Sequence, residues 1–248
     1  MLNISRLPVC SDCLTQIRPV EGKVCSVCGE RVLSTFAFAD AEGLRICPVC
    51  RRIERPFERA AAYGSYDGGL RELIHLLKYD GVRPAAAVLG RMLADVIAAL
   101  EPEFQQKPVA VIPVPLYKGK RRHRGFNQAE SITRAALKTY HAHERLQLTT
   151  DVLLRIRDTR SQIGLTSHQR RENMRGAFAV ARAAEVIGRE VLLVDDVYTT
   201  GTTVSECARV LRRAGARQVW VATVARTMKN AGFNVSKLQG FNAGVGAA

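Results

Sequence analysis

The sequence predicts an α/β protein in which a mainly parallel sheet flanked by helices follows a small metal-binding region. Three observations support this prediction. Six of the seven cysteines fall in Cys-x-x-Cys pairs within the first fifty residues. From residue 58 onward, strand-like apolar runs alternate with amphipathic helical patterns, which is the order expected of a parallel α/β sheet. One apolar run ends in two adjacent carboxylates, and ligands bind at the carboxyl ends of strands in such sheets.

The N-terminal cysteines have the spacing of zinc ligands. They form three pairs, Cys10/Cys13, Cys25/Cys28 and Cys47/Cys50. Two Cys-x-x-Cys turns can supply four thiolates to one tetrahedral Zn²⁺ ion, which makes a structural site with no open position. Gly29 relaxes the turn after Cys28, so Cys25 and Cys28 are predicted to share zinc with Cys47 and Cys50. A thioredoxin-like redox pair is disfavoured because no βαβ pattern surrounds these cysteines.

One cysteine pair is left over, and two arrangements are open. Cys10 and Cys13 could complete a site with Cys25 and Cys28, which would leave the third pair unused. Alternatively, Cys10 and Cys13 form half of a site whose other half is missing. The second arrangement is favoured because the leftover pair resembles the second knuckle of an earlier ribbon. The natural start of the protein is then expected to precede Met1.

The elements of the larger region follow from hydrophobic periodicity. The predicted strands share short apolar runs and cover residues 60–66, 109–112, 152–157, 191–194 and 219–224, with another near residue 178. The predicted helices share apolar positions at helical spacing and cover about residues 70–77, 88–100, 127–140, 167–174 and 202–214. The predicted domains are residues 1–57, a zinc ribbon, and residues 58–228, the α/β part. Residues 229–248 lack periodicity and are predicted to form a flexible tail.

The most informative segment is residues 191–203. Its apolar run predicts a strand buried on both faces, and Asp195 and Asp196 follow it directly. A helix beginning near Thr202 would aim free N–H groups at a phosphate. Two carboxylates beside a phosphate repel the ligand unless they bind hydroxyls, such as a ribose diol, or Mg²⁺. A helix cap would explain one Asp but not the Thr/Gly loop. The loop residues predicted to surround the phosphate are Thr199, Thr200, Gly201, Thr202 and Thr203.

Cations follow two other predicted elements. After the strand at residues 109–112, five cations occupy seven positions, namely Lys118, Lys120, Arg121, Arg122 and Arg124. This segment is predicted to be a basic loop that binds pyrophosphate, because Arg clamps phosphate oxygens and Lys adds charge; a solvated basic loop is the alternative. Lys78 ends a predicted helix, where it either complements the helix dipole or contacts pyrophosphate.

Residues 191–203 resemble the 5-phosphoribosyl 1-pyrophosphate (PRPP) motif of type I phosphoribosyltransferases. Over about residues 10–227 the chain resembles the ComF family of competence-associated, phosphoribosyltransferase-like proteins. The matching motifs are the Cys-x-x-Cys ribbons, residues 73–79 (LIHLLKY), residues 124–128 (RGFNQ) and residues 194–201 (VDDVYTTG). The resemblance implies the type I phosphoribosyltransferase fold with a zinc ribbon of four cysteines. It also implies that Asp195 and Asp196 hold the ribose hydroxyls with Mg²⁺, and that residues 199–203 hold the 5′-phosphate.

The resemblance carries further expectations about the site. In phosphoribosyltransferases a flexible lid closes over PRPP between two strands and excludes water. The residues of this chain that match the lid are Arg155, Thr159, Gln162, Arg170 and Arg171. One departure from the family is the missing first Cys-x-x-Cys pair, which weakens the expectation of a second, earlier zinc site. The chain shows no glutamine-hydrolysing domain, so the amidotransferase label that many family members carry is unsupported here.

Net charge and hydropathy limit the classes of protein to which this chain can belong. The net charge is +14, and residues 59–248 hold twenty-nine Lys and Arg against sixteen Asp and Glu. This surplus predicts a polyanionic partner, either PRPP or nucleic acid, although a solvated basic surface is also compatible with it. No run of eighteen apolar residues occurs and residues 1–8 lack a signal-peptide core, which predicts a cytoplasmic protein without a transmembrane segment.

Two functions remain open from the sequence. The first is a PRPP-binding protein that handles single-stranded DNA during natural transformation, as the family resemblance implies. Its expected partners are then single-stranded DNA, a competence helicase and an inner-membrane DNA channel, which would place it at the inner membrane through those partners. The second is an active phosphoribosyltransferase of nucleotide metabolism whose acceptor the sequence does not identify.

Overall fold

The computed structural model describes residues 7–32, 38–39, 45–105, 108–140, 143–159 and 166–228. The strands are β1 (Phe38–Ala39), β2 (Arg45–Ile46), β3 (Ala60–Ser65), β4 (Val109–Pro113), β5 (Leu146–Leu148), β6 (Leu153–Arg155), β7 (Phe178–Val180), β8 (Glu190–Tyr198) and β9 (Gln218–Arg226). The helices are α1 (Ser11–Thr15), α2 (Pro48–Arg52), α3 (Gly68–Lys78), α4 (Ala85–Leu100), α5 (Lys118–Arg124), α6 (Gln128–Thr139), α7 (Ser167–Met174) and α8 (Thr202–Arg213). The predicted tail at residues 229–248 lies outside the described residues.

A five-stranded sheet in the order β3-β9-β8-β4-β5 forms the centre of the molecule. Every neighbouring pair in it is parallel, which confirms the predicted α/β class. Strand β8 lies in the middle, where Val194 faces Pro113 of β4 on one side and Ala222 of β9 on the other. The carboxyl end of β8 therefore lies at the centre of the sheet edge where ligands bind in this class.

Helices cover both faces of this sheet, and this explains its continuous apolar strands. On one face, Leu89 and Leu93 of α4 pack with Leu192 of β8 and Trp220 of β9 in a core that α3 and α6 extend. On the other face, α8 packs against the sheet together with the cysteine-containing region. Each fully buried Leu or Val contributes about 1.5–3 kcal/mol relative to exposure, so the centre of β8 is held firmly.

One local prediction was wrong, one strand is shorter than predicted, and one strand was not predicted. The segment predicted as a basic loop is helix α5, because residues 118–124 contain no proline or β-branched residue and Gly125 ends the helix in a left-handed conformation, with φ of 80°. The strand predicted at residues 152–157 covers only Leu153–Arg155 and pairs antiparallel with β7, outside the central sheet. Leu146–Leu148 forms an edge strand of the main sheet that was not predicted, since three residues are too few for a clear periodicity.

None of the helices in the described ranges combines the length and apolar character that a membrane crossing requires.

Candidate functional site

Asp195 and Asp196 lie within β8 rather than after it. The ladder with β9 continues past them, with Asp195 opposite Thr223 and Val197 opposite Ala225. Each carboxylate also accepts a backbone hydrogen bond: Asp195 Oδ1 from the amide of Asp196 at 2.9 Å, and Asp196 Oδ1 from the amide of Val197 at 2.8 Å. These bonds help to explain why a strand predicted to end at residue 194 extends to Tyr198. The two acids are fixed at the central sheet edge before any ligand binds.

Asp196 is paired with a buried lysine. The Lys78 ammonium at the end of α3 contacts Asp196 Oδ2, and their side chains are 16% and 6% exposed. Burial favours the neutral acid, but the Lys78 charge, together with hydrogen bonds from Lys78, Asp195 and the Val197 amide, outweighs burial and lowers the pKa of Asp196. Burial likewise opposes the Lys78 charge, yet Asp196 raises the pKa of that ammonium. In the structure Lys78 thus contacts Asp196, one of the two acids of the motif. A contact between Lys78 and pyrophosphate stays a prediction.

Asp195 is the acid that takes a proton more readily. Burial raises its pKa well above the ordinary value, and the neighbouring Asp196 charge raises it further. Two adjacent carboxylates in a half-buried site resist double ionisation, so one of them holds a proton at higher pH than a free carboxyl does. Asp195 also lies close enough to Arg155 of β6 to favour the guanidinium charge there, although burial lowers the pKa of Arg155 overall. A cation or hydroxyl donor at this edge would favour the doubly ionised pair.

The loop after β8, residues 199–203, has the backbone of a phosphate-binding turn and is called the phosphate loop below. Gly201 precedes α8 with φ of 75°, and Thr200 and Thr202 share a hydroxyl hydrogen bond of 2.8 Å. The first N–H groups of an α-helix have no acceptor within the helix itself, and the helix dipole favours an anion beside them, so the start of α8 suits a phosphate at the loop. A Cβ on Gly201 would collide with the Tyr198 hydroxyl. Both backbone conformation and available space therefore require glycine at this position.

Replacing Gly201 with alanine is expected to cost about 1–3 kcal/mol of unfolding free energy, because backbone strain and the Tyr198 collision add together. Gly81 is a matched control, since its φ is 65° but nothing lies within 4 Å of a Cβ there. Urea unfolding should show a larger loss for Gly201→Ala than for Gly81→Ala. Equal losses would show that the contact with Tyr198 does not constrain the loop.

The predicted lid residues lie around β6, α7 and β7. Thr159 is buried and accepts a hydrogen bond from Arg155, which also stacks its guanidinium 5.6 Å from the Phe178 ring. Arg170 and Arg171 lie on α7, which begins at a capping box formed by Thr166 and Gln169. Gln162 lies outside the described residues. The two flanks of this segment are thus anchored, and closure of the part between them stays a prediction.

The predicted pyrophosphate residues Lys118, Arg122 and Arg124 lie on α5, just beyond β4. Lys118 and Arg122 are largely solvent-accessible, whereas Arg124 donates to Gln128 Oε1 and lies 5.7 Å from the centre of the exposed Tyr79 ring. Helix α5 therefore presents a dense positive charge beside the sheet edge. Its contact with pyrophosphate stays a prediction.

A cavity of about 400 Å³ opens between α5 and β6. Its apolar wall includes Leu116 and Ile156, and Arg121, Glu130 and Asp151 supply polar groups. Asp151 has a positive φ of 59°, the only such value at a non-glycine residue in the described ranges. The sequence alone did not indicate this cavity, because its walls come from three separate segments.

Four cysteine sulfurs from the N-terminal region meet in one cluster. The Sγ atoms of Cys25, Cys28, Cys47 and Cys50 all lie within 4.8 Å of one another, and Cys28 Sγ and Cys47 Sγ are 3.8 Å apart. Tetrahedral Zn²⁺ with bonds of about 2.3 Å holds its sulfurs about 3.8 Å apart. The donor set and its spacing therefore fit a structural zinc ion, and this group is called the cysteine cluster below.

The turn beneath the cluster explains the glycine that follows it. Gly29 has φ of 69°, donates its amide to the Cys25 carbonyl at 2.9 Å, and would bring a Cβ to 3.1 Å from the Ala60 carbonyl. Cys10 and Cys13 lie outside the cluster and are exposed, with the Cys13 amide 3.4 Å from Cys10 Sγ. The arrangement in which Cys10 and Cys13 join Cys25 and Cys28 does not occur.

Two arginines beside the cysteine cluster, the buried Arg226 and the half-buried Arg55, were not singled out by the sequence. Arg226 Nη2, at the end of β9, lies 3.6 Å from Cys28 Sγ and 2.9 Å from Glu30 Oε2. Burial opposes its charge, but Cys28 and Glu30 outweigh that effect and raise the pKa of Arg226. For Arg55, burial is likewise outweighed by Tyr198 and Cys50, so its pKa is also raised. No local pattern marks these arginines, because their partners are distant in sequence.

Comparisons with known proteins agree with this architecture. Residues 133–245 match the family described as phosphoribosyl transferase domain. DNA utilization protein YhgH from Escherichia coli O157:H7 is 32% identical over 212 residues, which cover 83% of this chain and 91% of that protein. Competence protein F from Haemophilus influenzae is 30% identical over 227 residues, covering 91% and 93%. Competence protein ComFC from Bacillus subtilis is 25% identical over 210 residues, covering 84% and 79%.

These relationships confirm the fold and the family that the motifs predicted. The parallel sheet flanked by helices is the type I phosphoribosyltransferase fold, and its N-terminal cysteine cluster is consistent with a zinc ribbon. The relatives from Escherichia coli O157:H7 and Haemophilus influenzae both reach at least 30% identity, and each alignment spans more than nine tenths of the relative. The chain belongs to the ComF family of competence-associated, phosphoribosyltransferase-like proteins.

Proposed function

We propose that this protein binds PRPP, or a closely related phosphoribosyl ligand, at the carboxyl edge of β8. The main support for this proposal is that two carboxylates near the end of β8 are followed, five residues later, by a glycine in the left-handed conformation at the start of α8. The acids suit ribose hydroxyls, and the amides of the phosphate loop suit a phosphate dianion. The cations of α5 lie at the same edge, where they suit pyrophosphate.

Two metal ions fit the donor groups of this chain. Asp195 and Asp196 offer the carboxylate oxygens that Mg²⁺ prefers, and the cysteine cluster offers four thiolates to zinc. Magnesium would supply charge neutralisation for the pyrophosphate oxygens when bound. The protein's own share is to hold the ribose at Asp195, to fix the phosphate with the loop amides, and to offset negative charge with α5.

Substituting Asp195 with asparagine is expected to weaken PRPP binding by about tenfold or more, because hydrogen bonds to a charged group contribute roughly 1.5–3 kcal/mol. Calorimetric titration with PRPP and Mg²⁺ would measure this, alongside Asp196→Asn. Asp95→Asn is the control, since Asp95 lies exposed on α4. Wild-type protein that binds no PRPP would overturn the proposed ligand. Unchanged affinity in Asp195→Asn would overturn the role of that carboxylate.

We further propose that the protein acts on single-stranded DNA during natural transformation. The support is the surplus of thirteen positive charges in residues 59–248, twenty-nine less sixteen, the exposed cations of α5, and the relatives named for competence and DNA utilization. In that role it would work at the inner membrane beside a competence helicase and a DNA channel. Comparing DNA uptake in cells with and without the intact gene tests the biological role.

Removing two cations of α5 is expected to lower the affinity for single-stranded DNA and to make that affinity depend less on salt concentration. The double variant Lys118→Gln/Arg122→Gln should lower the slope of log affinity against log salt by about 0.7 for each lost phosphate contact. The matched control is Arg91→Gln/Lys138→Gln, two exposed cations on α4 and α6. Fluorescence anisotropy with labelled single-stranded DNA at several salt concentrations measures both slopes. The same slope in both variants would show that α5 is not part of the DNA-binding surface.

An active phosphoribosyltransferase is the second candidate, and the cavity between α5 and β6 favours it. That cavity adjoins Arg155, which lies near Asp195, and its apolar wall with Arg121, Glu130 and Asp151 suits a heterocyclic acceptor. Pyrophosphate release from PRPP, assayed with a panel of nucleobases and amines, tests turnover. Acceptor-dependent release that Asp195→Asn abolishes would support this candidate, whereas PRPP binding without release would count against it.

A further inference from the structure

Tyr198 connects the cysteine cluster to the phosphate loop. Its ring is buried at the end of β8, directly before Thr199, and packs edge-on against Phe57 with ring centres 6.5 Å apart. Burial raises the pKa of Tyr198 to about 12, so the phenol stays neutral. Because its hydroxyl touches the space where Gly201 would carry a side chain, the position of this ring decides the position of the loop.

Arg226 holds that ring from the other side. Its guanidinium carbon lies 4.4 Å from the centre of the Tyr198 ring, and the two residues are register partners in β8 and β9. The same guanidinium lies 3.6 Å from Cys28 Sγ. A continuous series of contacts therefore runs from the cysteine cluster through Arg226 and Tyr198 to Gly201.

Zinc at the cysteine cluster is expected to affect this series of contacts. Four thiolates around Zn²⁺ carry a net charge of about −2 by simple addition. Arg226, whose guanidinium lies 3.6 Å from Cys28 Sγ, supplies a compensating positive charge at a buried position. Without metal nothing fixes the four sulfurs at their mutual spacing, so the contact between Cys28 Sγ and this guanidinium is expected to be lost. Arg226 then keeps its ion pair with Glu30 and is expected to shift towards it, away from the Tyr198 ring.

We propose that the cysteine cluster positions the phosphate loop through Arg226 and Tyr198, so that zinc at the cluster and a phosphoribosyl ligand at the loop bind cooperatively. This inference rests on the proposed PRPP site. It assigns Arg226 and Tyr198 as positioning residues, which act on the ligand through the loop. It also gives the zinc ribbon a role in ligand binding that a passive folding aid would not have.

Thermodynamic reciprocity provides a test that needs no turnover. If zinc tightens PRPP binding by about tenfold, PRPP must tighten zinc binding by the same factor. Zinc transfer from the intact protein to a coloured chelator at equilibrium, with and without PRPP and Mg²⁺, measures the second effect. Calorimetric titration of zinc-loaded and chelator-treated protein with PRPP measures the first. Equal zinc affinity in the presence and absence of a saturating, calorimetrically verified amount of PRPP would overturn the inference but leave the PRPP site intact.

Variants separate positioning from simple stability. Arg226→Gln should keep one zinc per chain yet weaken PRPP binding by about tenfold and abolish the coupling. Arg226→Lys should restore part of the affinity, because it keeps the charge. Arg213→Gln, an exposed arginine of α8, is the control and should bind PRPP like wild type. All titrations are run at a temperature where circular dichroism shows each variant folded. A folded, zinc-loaded Arg226→Gln protein with wild-type PRPP affinity would disprove the positioning role.

If Arg226→Gln does not fold, hydrogen exchange of the wild-type protein with and without zinc tests the proposal instead. Amides of residues 199–205 should exchange faster after zinc removal, whereas those of β4, which the proposed path does not include, should not. Unchanged exchange in the phosphate loop would overturn the inference.

Discussion

Cys47→Ser is expected to release zinc and to unfold the N-terminal region while leaving the central sheet folded. Cys47 is buried, its Sγ lies 3.8 Å from Cys28 Sγ, and its amide lies 3.3 Å from Cys25 Sγ. Apparent binding free energies of structural zinc reach about 10–16 kcal/mol, so losing one ligand should cost several kcal/mol of local stability. Zinc content by mass spectrometry under native conditions and proteolysis of residues 21–55 would measure the two effects.

Cys13→Ser is the control for this prediction. Cys13 is exposed and lies outside the cysteine cluster, so its replacement should change neither zinc content nor protease resistance. Zinc loss in Cys13→Ser would revive the arrangement in which the first two cysteine pairs share a metal. Full zinc content in Cys47→Ser would show that three thiolates suffice, and the cluster would then resemble a site with an open position.

Local signals in the sequence were enough to predict most elements of the central domain. Helix α7 covers the predicted residues 167–174, because the capping box at Thr166 and Gln169 marks its start. Strand β8 was recognised from its unbroken apolar run, which two-sided burial in a parallel sheet demands. The basic segment was misassigned, since charge density says what a segment contacts but not whether it is helical.

The contacts that organise the site could not be predicted, because they join distant parts of the chain. Lys78 reaches Asp196 from α3, and Arg226 reaches Cys28 across 198 residues of sequence. Periodicity reports only which face of an element is buried. The motif therefore identified the acids, and Lys78 was noted from the sequence, but the contact through which Lys78 lowers the pKa of Asp196 became apparent only in three dimensions.

Breaking the buried ion pair of Lys78 and Asp196 is expected to cause the second large loss of stability. Lys78→Met should lower the unfolding free energy by about 3–5 kcal/mol, because it leaves a buried carboxylate without its counter-charge. The matched control on the same helix is Arg71→Met. Arg71 forms an exposed pair with Glu72, and such pairs contribute about 0–1 kcal/mol. Urea unfolding of both variants at pH 7.5 measures the difference. A loss below about 1 kcal/mol in Lys78→Met would show that the pair behaves as a surface contact.

The pH dependence of this loss has a definite sign. In the wild type the pKa of Asp196 is lowered from 3.8, so the stability from the pair is present above pH 3.8 and is lost as pH falls through the lower folded value. In Lys78→Met the Lys78 charge and hydrogen bond are gone, and burial, the largest influence on Asp196, is opposed only by the weaker hydrogen bonds from Asp195 and the Val197 amide. The pKa of Asp196 should therefore rise above 3.8, and the variant should regain stability on acidification. The gap between variant and wild type should therefore narrow from pH 7.5 to pH 5. Lys78→Met/Asp196→Asn should recover most of the loss at pH 7.5, since no buried charge is then left unpaired at residue 196. A gap that stays constant with pH would mean that Asp196 is not the group whose ionisation Lys78 stabilises.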